Sequence, residues 1–214
     1  MKYPENRINF HCTKVHQKAG LVSTTAKSPI QHKMPYICPM GKEIKVVITD
    51  IDGVWTDGKI YLTDEGKSLK AFNTQDSVGV ALLRLMDIPV VIITGEDTAV
   101  IRLRAEQLKI KQVYTGVRNK LLIAGKALQA LGFSLDEAAY IGDDIGDLPL
   151  LSAVGLGAVP NNAPEYLKSR VNFILKRNSG DGVFREFCEL VAEQRGELDD
   201  TIGKYLERIN NSKY

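Results

Sequence analysis

Long apolar runs are missing from this chain of 214 residues. None approaches the ~20 consecutive apolar residues that span a bilayer, and no secretory apolar core opens the sequence. Cysteine is scarce: Cys12, Cys38 and Cys188 are the only three. That excludes a disulfide scaffold and fits a reducing compartment, so a cytoplasmic location and no membrane partner are expected. Histidine is confined to His11, His16 and His32. Together with Cys12 and Cys38 these match no zinc-ligand spacing, and a histidine–cysteine metal site is not expected. A strong net charge is absent too. The total is +2, divided as +6 over residues 1–42 and −4 over the remainder. The basic excess lies in the first stretch, which leaves no argument for nucleic acid as a partner of the body.

What is present suits one globular domain: 44% hydrophobic and 25% charged residues. The opening stretch lacks apolar periodicity and carries Gly20, Ser23, Thr24, Thr25, Ser28 and Pro29. Residues 1–41 therefore read as a basic flexible leader. Two other readings stay open, a transit peptide and a translation start at Met34 or Met40. Residues 42–195 read as the main domain and 196–214 as a helical tail.

The rest is organised around VVITDIDGVWTDG, Val46 to Gly58. Val46, Val47, Ile48 and Thr49 are all β-branched, as in a strand of a parallel sheet buried on both faces. The strand runs into Asp50 and Asp52. Side chains alternate along a strand, so both carboxylates reach one place only if the chain turns between them, and Gly53 allows that turn. Asp-Ile-Asp-Gly alone could be a solvated turn. After a buried strand, it stands where open α/β sheets bind ligands.

Strands and helices then alternate. The expected strands are Ile44–Thr49, Pro89–Ile93, Gln112–Tyr114, Ala138–Ile141, Gly155–Val159 and about Phe173–Leu175. A hairpin is expected over about Lys59–Phe72, turning at Asp64 to Lys67. Helices are expected at about Ser77–Met86, with Val78, Ala81, Leu82 and Leu85 on one face. Further helices are expected from a cap at Asp97 or Thr98 through Leu108, at Lys120–Leu131 closed by Gly132, near Pro164–Leu167, and at Val183–Gln194. Cys188 falls on the apolar side of that last helix. Leu198, Ile202, Tyr205, Leu206 and Ile209 keep helical spacing in the tail. The fold class is α/β: a Rossmann-like parallel sheet with helices on both faces, a β-hairpin flap and no cap domain.

The strand ends gather chemistry on one edge: Asp50 and Asp52, then Thr94-Gly95-Glu96, then Lys120, then Asp143, Asp144 and Asp147. Each has a plainer reading. Thr94 could cap a helix, Lys120 could be solvated, and the aspartates could build a turn. Jointly they suit phosphoryl transfer. Carboxylates from two strand ends suit Mg²⁺. One carboxylate can attack phosphorus. A second can protonate the leaving oxygen. A lysine and a hydroxyl can hold the phosphoryl oxygens.

DIDGVWTDG, TGE, Lys120 and GDDIGD resemble the four motifs of the haloacid dehalogenase superfamily. The resemblance covers about Lys42 to Gln194. It implies strand order 5-4-1-2-3, with Asp50 as nucleophile and Asp52 as general acid/base. It implies Thr94 and Lys120 on the phosphoryl group, and Mg²⁺ held by Asp50, the Asp52 carbonyl and Asp143. Asp144 and Asp147 would support the metal. An aspartate at Asp52 favours phosphatase over dehalogenase chemistry.

The gaps Gly58–Thr94 and Lys120–Asp143 are too short for a cap domain, so a neighbouring subunit is the expected lid. Within the superfamily, GKIYLTDEGKSLKAFNTQDSVG, YTGVRNKL, AYIGDDIGDLPLL and GDGVFREFCELV resemble the capless 3-deoxy-D-manno-octulosonate 8-phosphate phosphatases. That likeness implies a homotetramer and a sugar acid phosphate as substrate. It places Asn73, Asp76, Ser77, Gly95, Glu96, Arg104 and Arg185 near that substrate. Glu96 departs from the arginine usual there and resembles relatives acting on 2-keto-3-deoxynononate 9-phosphate, whereas Gln107 replaces the lysine those relatives often carry. The octulosonate reading comes first and the nine-carbon acids, 2-keto-3-deoxynononate or sialic acid 9-phosphate, second. An accessory subunit or binding module is the non-enzyme alternative.

Overall fold

The computed structural model describes residues 43–66 and 68–211. The leader, with its histidines, Cys12 and Cys38, lies outside them.

Strand β1 (Val46–Thr49) is buried along its whole length. It pairs in parallel with β4 (Val90–Ile93) on one side and β6 (Ala138–Ile141) on the other, placing Val47 beside Val90 and Ala139. Strand β5 (Gln112–Tyr114) extends the sheet beyond β4; β7 (Leu156–Val159) and β8 (Phe173–Ile174) extend it beyond β6. The order β5-β4-β1-β6-β7-β8 contains the expected 5-4-1-2-3 arrangement and adds β8 at one edge.

Side chains alternate between two cores, as a doubly covered sheet demands. Val47, Ile92, Ala139 and Ile141 face the core under helices α1 (Gln75–Leu85), α2 (Ala99–Gln107) and α6 (Val183–Gln194). Val46, Ile48, Val91 and Tyr140 face the core under α3 (Lys120–Leu131), α4 (Leu148–Leu151) and α5 (Glu165–Lys168). Asn119 caps α3 by accepting from the Leu122 amide at 3.0 Å, and Gly132 closes it at φ 78°.

Three elements differ from expectation. The hairpin is short, β2 (Tyr61–Leu62) with β3 (Ser68–Leu69), and forms its own exposed two-stranded sheet. With neither face buried, its alternating apolar residues have no core to extend the pairing. Thr98 occupies the cap position of α2, but its hydroxyl makes no cap bond and lies buried without a partner. Helix α1 buries Asp76, Gly79, Val80, Leu82 and Leu83 rather than Val78, Ala81 and Leu85. The reason is α6, which crosses α1 closely enough that a Cβ on Gly79 would stand 2.9 Å from Cys188 Sγ and 3.1 Å from Arg185 Cα. Cys188 is buried as expected. The tail forms α7 (Leu198–Asn211), which packs on α1 and α6 through Thr201 and Leu198 and leaves Ile202, Leu206 and Ile209 exposed. Among the described residues no helix is long and apolar enough to cross a membrane.

Candidate active site

The chain leaves β1 in a tight turn in which the amides of Val54, Trp55 and Thr56 all donate to the Ile51 carbonyl. Gly53 takes φ +76°, and a Cβ there would lie 1.9 Å from Asp143 Oδ2, so only glycine fits. Trp55 pins the turn from beneath. Its ring stacks on Phe184 at 4.5 Å and its Nε1 donates to Thr49 Oγ1 at 2.9 Å.

This turn brings Asp50 to the floor of a cavity of about 590 Å³. Asp50, Asp52, Thr94, Gly95, Glu96, Lys120, Asp143, Asp144 and Asp147 all line it, so the sheet edge gathers the motifs as expected. Asp50 Oδ1 accepts from the Ile51 amide at 2.7 Å, and Oδ2 accepts from Lys120 Nζ at 2.5 Å. Lys120 also donates to Asp147 Oδ1 at 2.5 Å. Asp147 is saturated: Tyr140 donates to Oδ1 at 2.6 Å, and the amides of Asp143 and Asp144 donate to Oδ2 at 2.8 and 3.1 Å. Asp144 caps the next turn through the Ile145 amide and accepts from Tyr166 at 3.1 Å. The Thr94 hydroxyl and Asp52 Oδ2 are buried and unpartnered among the described residues.

Charge is concentrated here. Burial pushes Asp50 up to about 6; Lys120 pulls it back and Asp147 adds to the rise. Burial, then the charges of Asp147 and Asp50, push Asp143 up to about 8. Burial works against a charged Lys120, but Asp50 and Asp147 hold it above its ordinary value. One oxygen from each of Asp50, Asp143 and Asp147 lies within 4.8 Å of the others. This hard-oxygen cluster, with one buried cation against three carboxylates, fits a divalent metal.

The comparisons agree with this geometry. Residues 101–187 match the model of the haloacid dehalogenase-like hydrolases. The chain is 34% identical over 189 residues to 3-deoxy-D-manno-octulosonate 8-phosphate phosphatase KdsC of Salmonella typhimurium, covering 88% of this chain and 99% of that relative. The chain belongs to the haloacid dehalogenase-like hydrolases. Two solved structures of this family are similar to it. One is the octulosonate phosphatase of Moraxella catarrhalis in complex with magnesium, phosphate and the sugar acid (TM-score 0.73, 34% identity, 76% of this chain and 93% of that one). The other is the cobalt-bound octulosonate phosphatase of Haemophilus influenzae (TM-score 0.70, 35% identity, 73% and 91%). As a member of this family the chain is a phosphoric monoester hydrolase.

The remaining expected substrate residues of this hydrolase form a separate cluster and do not line the cavity. Asp76 is buried and accepts from the Arg185 amide at 3.0 Å, capping α6 from α1. Burial, partly offset by that amide, raises it to about 6. Arg104 donates to Ser77 Oγ at 2.8 Å and lies over the Phe72 ring. Asn73 Oδ1 accepts from the Gln75 amide at 2.9 Å, and Arg185 pairs with Glu189.

Lys70 was not among the expected site residues. Its side chain is 8% exposed and donates both to Asp52 Oδ1 and, at 2.7 Å, to Glu96 Oε2. It follows the hairpin by one residue, 18 positions from Asp52. Its only sequence signal is the Leu-Lys-Ala-Phe of the resemblance. Arg118, also missed, lines the cavity two residues before Lys120.

Proposed function

We propose that this hydrolase cleaves the phosphate monoester of a 3-deoxy-2-ulosonic acid, first of all 3-deoxy-D-manno-octulosonate 8-phosphate. One observation carries the chemistry: Asp50 is held by Lys120 at the cavity floor, with Asp52 two residues on and the free Thr94 hydroxyl in the same cavity. The substrate rests on the relatives' specificity, at 34% identity over nearly their whole length.

In this reading the Asp50 carboxylate attacks phosphorus and forms an aspartyl phosphate while the ester oxygen leaves. Asp52 gives that oxygen its proton. Asp52 then takes a proton from the water that attacks the acyl phosphate, freeing Asp50 and inorganic phosphate. Lys120 and Thr94 hold the phosphoryl oxygens. Asp50, Asp143 and the Asp52 carbonyl would hold Mg²⁺, which when bound neutralises phosphoryl charge. Asp147 has its lone pairs committed to Lys120, Tyr140 and two amides, so it holds the site together.

Glu96 on the cavity wall is the observation that keeps nine-carbon acids as the second reading. The exposed Ile60, Leu62 and Leu69 of the hairpin support a subunit contact there, and the homotetramer in which hairpins cover neighbouring sites is what the family resemblance implies. Light scattering on the full chain reads that state directly.

The deciding experiment is phosphate release with Mg²⁺ from octulosonate 8-phosphate, nononate 9-phosphate, N-acetylneuraminate 9-phosphate and an aryl phosphate. Preference for the eight-carbon acid is expected. Preference for a nine-carbon acid moves the assignment to the second reading and makes Glu96 the selecting residue. Equal turnover of all four removes the sugar-acid assignment.

A further inference from the structure

The cavity is lined by six carboxylates, Asp50, Asp52, Glu96, Asp143, Asp144 and Asp147, and by two cations, Lys120 and Arg118. Lys120 is committed to Asp50 and Asp147. Lys70, just behind the wall, is committed to Asp52 and Glu96. Arg118 is exposed and makes no ion pair or hydrogen bond among the described residues.

Its backbone, by contrast, is held on both sides. The Gly116 and Val117 amides donate to the Glu96 and Thr94 carbonyls at 3.2 and 3.0 Å, fixing the loop against the end of β4. Asn119 is locked as the cap of α3. A free guanidinium is thus presented from a rigid base on the rim of an otherwise acidic cavity. Six carboxylates against the two paired lysines leave the cavity acidic, so a second negative group on the substrate needs a cation of its own. A guanidinium matches a carboxylate through two parallel N–H···O bonds.

We infer that Arg118 is a specificity-determining residue that binds the carboxylate of the sugar acid while its phosphoryl group sits between Lys120 and Thr94. This rests on the acidic-substrate reading above and deepens it. Glu96, which shares the Lys70 ammonium with Asp52, then lines the same cavity without supplying the charge that holds the carboxylate.

The test compares wild type, R118A and R118K on octulosonate 8-phosphate and on 4-nitrophenyl phosphate, which has no carboxylate. In R118A the ratio of kcat/KM for the sugar acid ester over the aryl ester is expected to fall about tenfold to a hundredfold, chiefly through KM. That is the range for a lost charged hydrogen bond. R118K is expected to recover part of the ratio. The free octulosonate, used as a competitive inhibitor, should lose affinity in R118A by a similar factor, and inorganic phosphate by much less. An equal loss on both esters, or an equal loss of inorganic phosphate affinity, places Arg118 on the phosphoryl group and overturns the inference. A wild-type preference for the acid ester that survives in R118A overturns the inference alone. A wild type with no such preference removes the substrate reading and the inference together.

Discussion

Lys70 ties three parts of the chain together at one ammonium: the end of the hairpin, Asp52 of the first motif and Glu96 of the second. Asp52 Oδ2 is left bare and buried while Oδ1 accepts from Lys70 and Thr56, so in the proposed mechanism Lys70 helps to fix which oxygen faces the leaving group. K70M is therefore expected to lower kcat about tenfold to a hundredfold, a fraction of the 10²–10⁴ that general acid–base catalysis supplies, with a smaller change in KM. Stopped-rate phosphate release with Mg²⁺ measures both constants, and an unchanged kcat in a folded K70M would show that Asp52 is positioned without it. This residue also marks a limit of reading sequence. Asp50, Asp52, Thr94, Lys120 and Asp143 are legible because a strand and its adjoining turn fix each of them locally. Lys70 and Arg118 are not, because their meaning lies in which distant charges are already paired.

Among the elements, the parallel strands and α3 are legible to within a residue or two, since β-branched runs and a closing glycine act locally. Helix α1 is not. Its buried stripe runs through Asp76, Gly79, Val80 and Leu83, and two of those four residues carry no apolar side chain. Gly79 is there because α6 comes too close for a Cβ, and Asp76 is there because α6 needs a cap that its own Gly182 does not supply. The crossing makes a sharp prediction. Alanine favours a helix interior over glycine by about 1 kcal/mol. Here the added methyl meets Cys188 Sγ and the Arg185 backbone, and overpacking of this kind costs about 1–3 kcal/mol. G79A should lower stability in urea titration, and G79A with C188A should recover much of the loss. A single G79A that is more stable than wild type would mean that α1 and α6 separate freely.

At the scale of the whole molecule, the buried Asp50 and Asp76 and the half-buried Asp143 hold protons more tightly than an unfolded chain does. Burial lifts Asp50 and Asp76 to about 6 and Asp143 to about 8, from an ordinary 3.8. The folded state therefore keeps protons that the unfolded chain has released above about pH 4. The stability these groups contribute is complete below that point and is lost as the pH rises from it, by about pH 6 for Asp50 and Asp76 and by about pH 8 for Asp143. A rise of about 2 units corresponds to about 3 kcal/mol for a single group. A divalent cation held by Asp50 and Asp143 competes with their protons, so it binds most tightly where both are ionised and acts against the loss most strongly above about pH 8, while Asp76, in its own cluster, is not relieved. The protein in EDTA should therefore melt about 5 °C or more lower at pH 8.5 than at pH 6, given about 2–4 °C per kcal/mol for a chain of this size. Mg²⁺ should raise Tm more at pH 8.5 than at pH 6 and close most of the gap, because Asp143 carries most of the change over this window and Asp76 only a small part. Calorimetry at the two pH values, with EDTA and with Mg²⁺, measures all four corners. Equal Tm values in EDTA would mean that Asp143 is not held protonated at the edge of the sheet. An equal Mg²⁺ effect at both pH values would mean that the cation binds without displacing protons, and so away from Asp50 and Asp143.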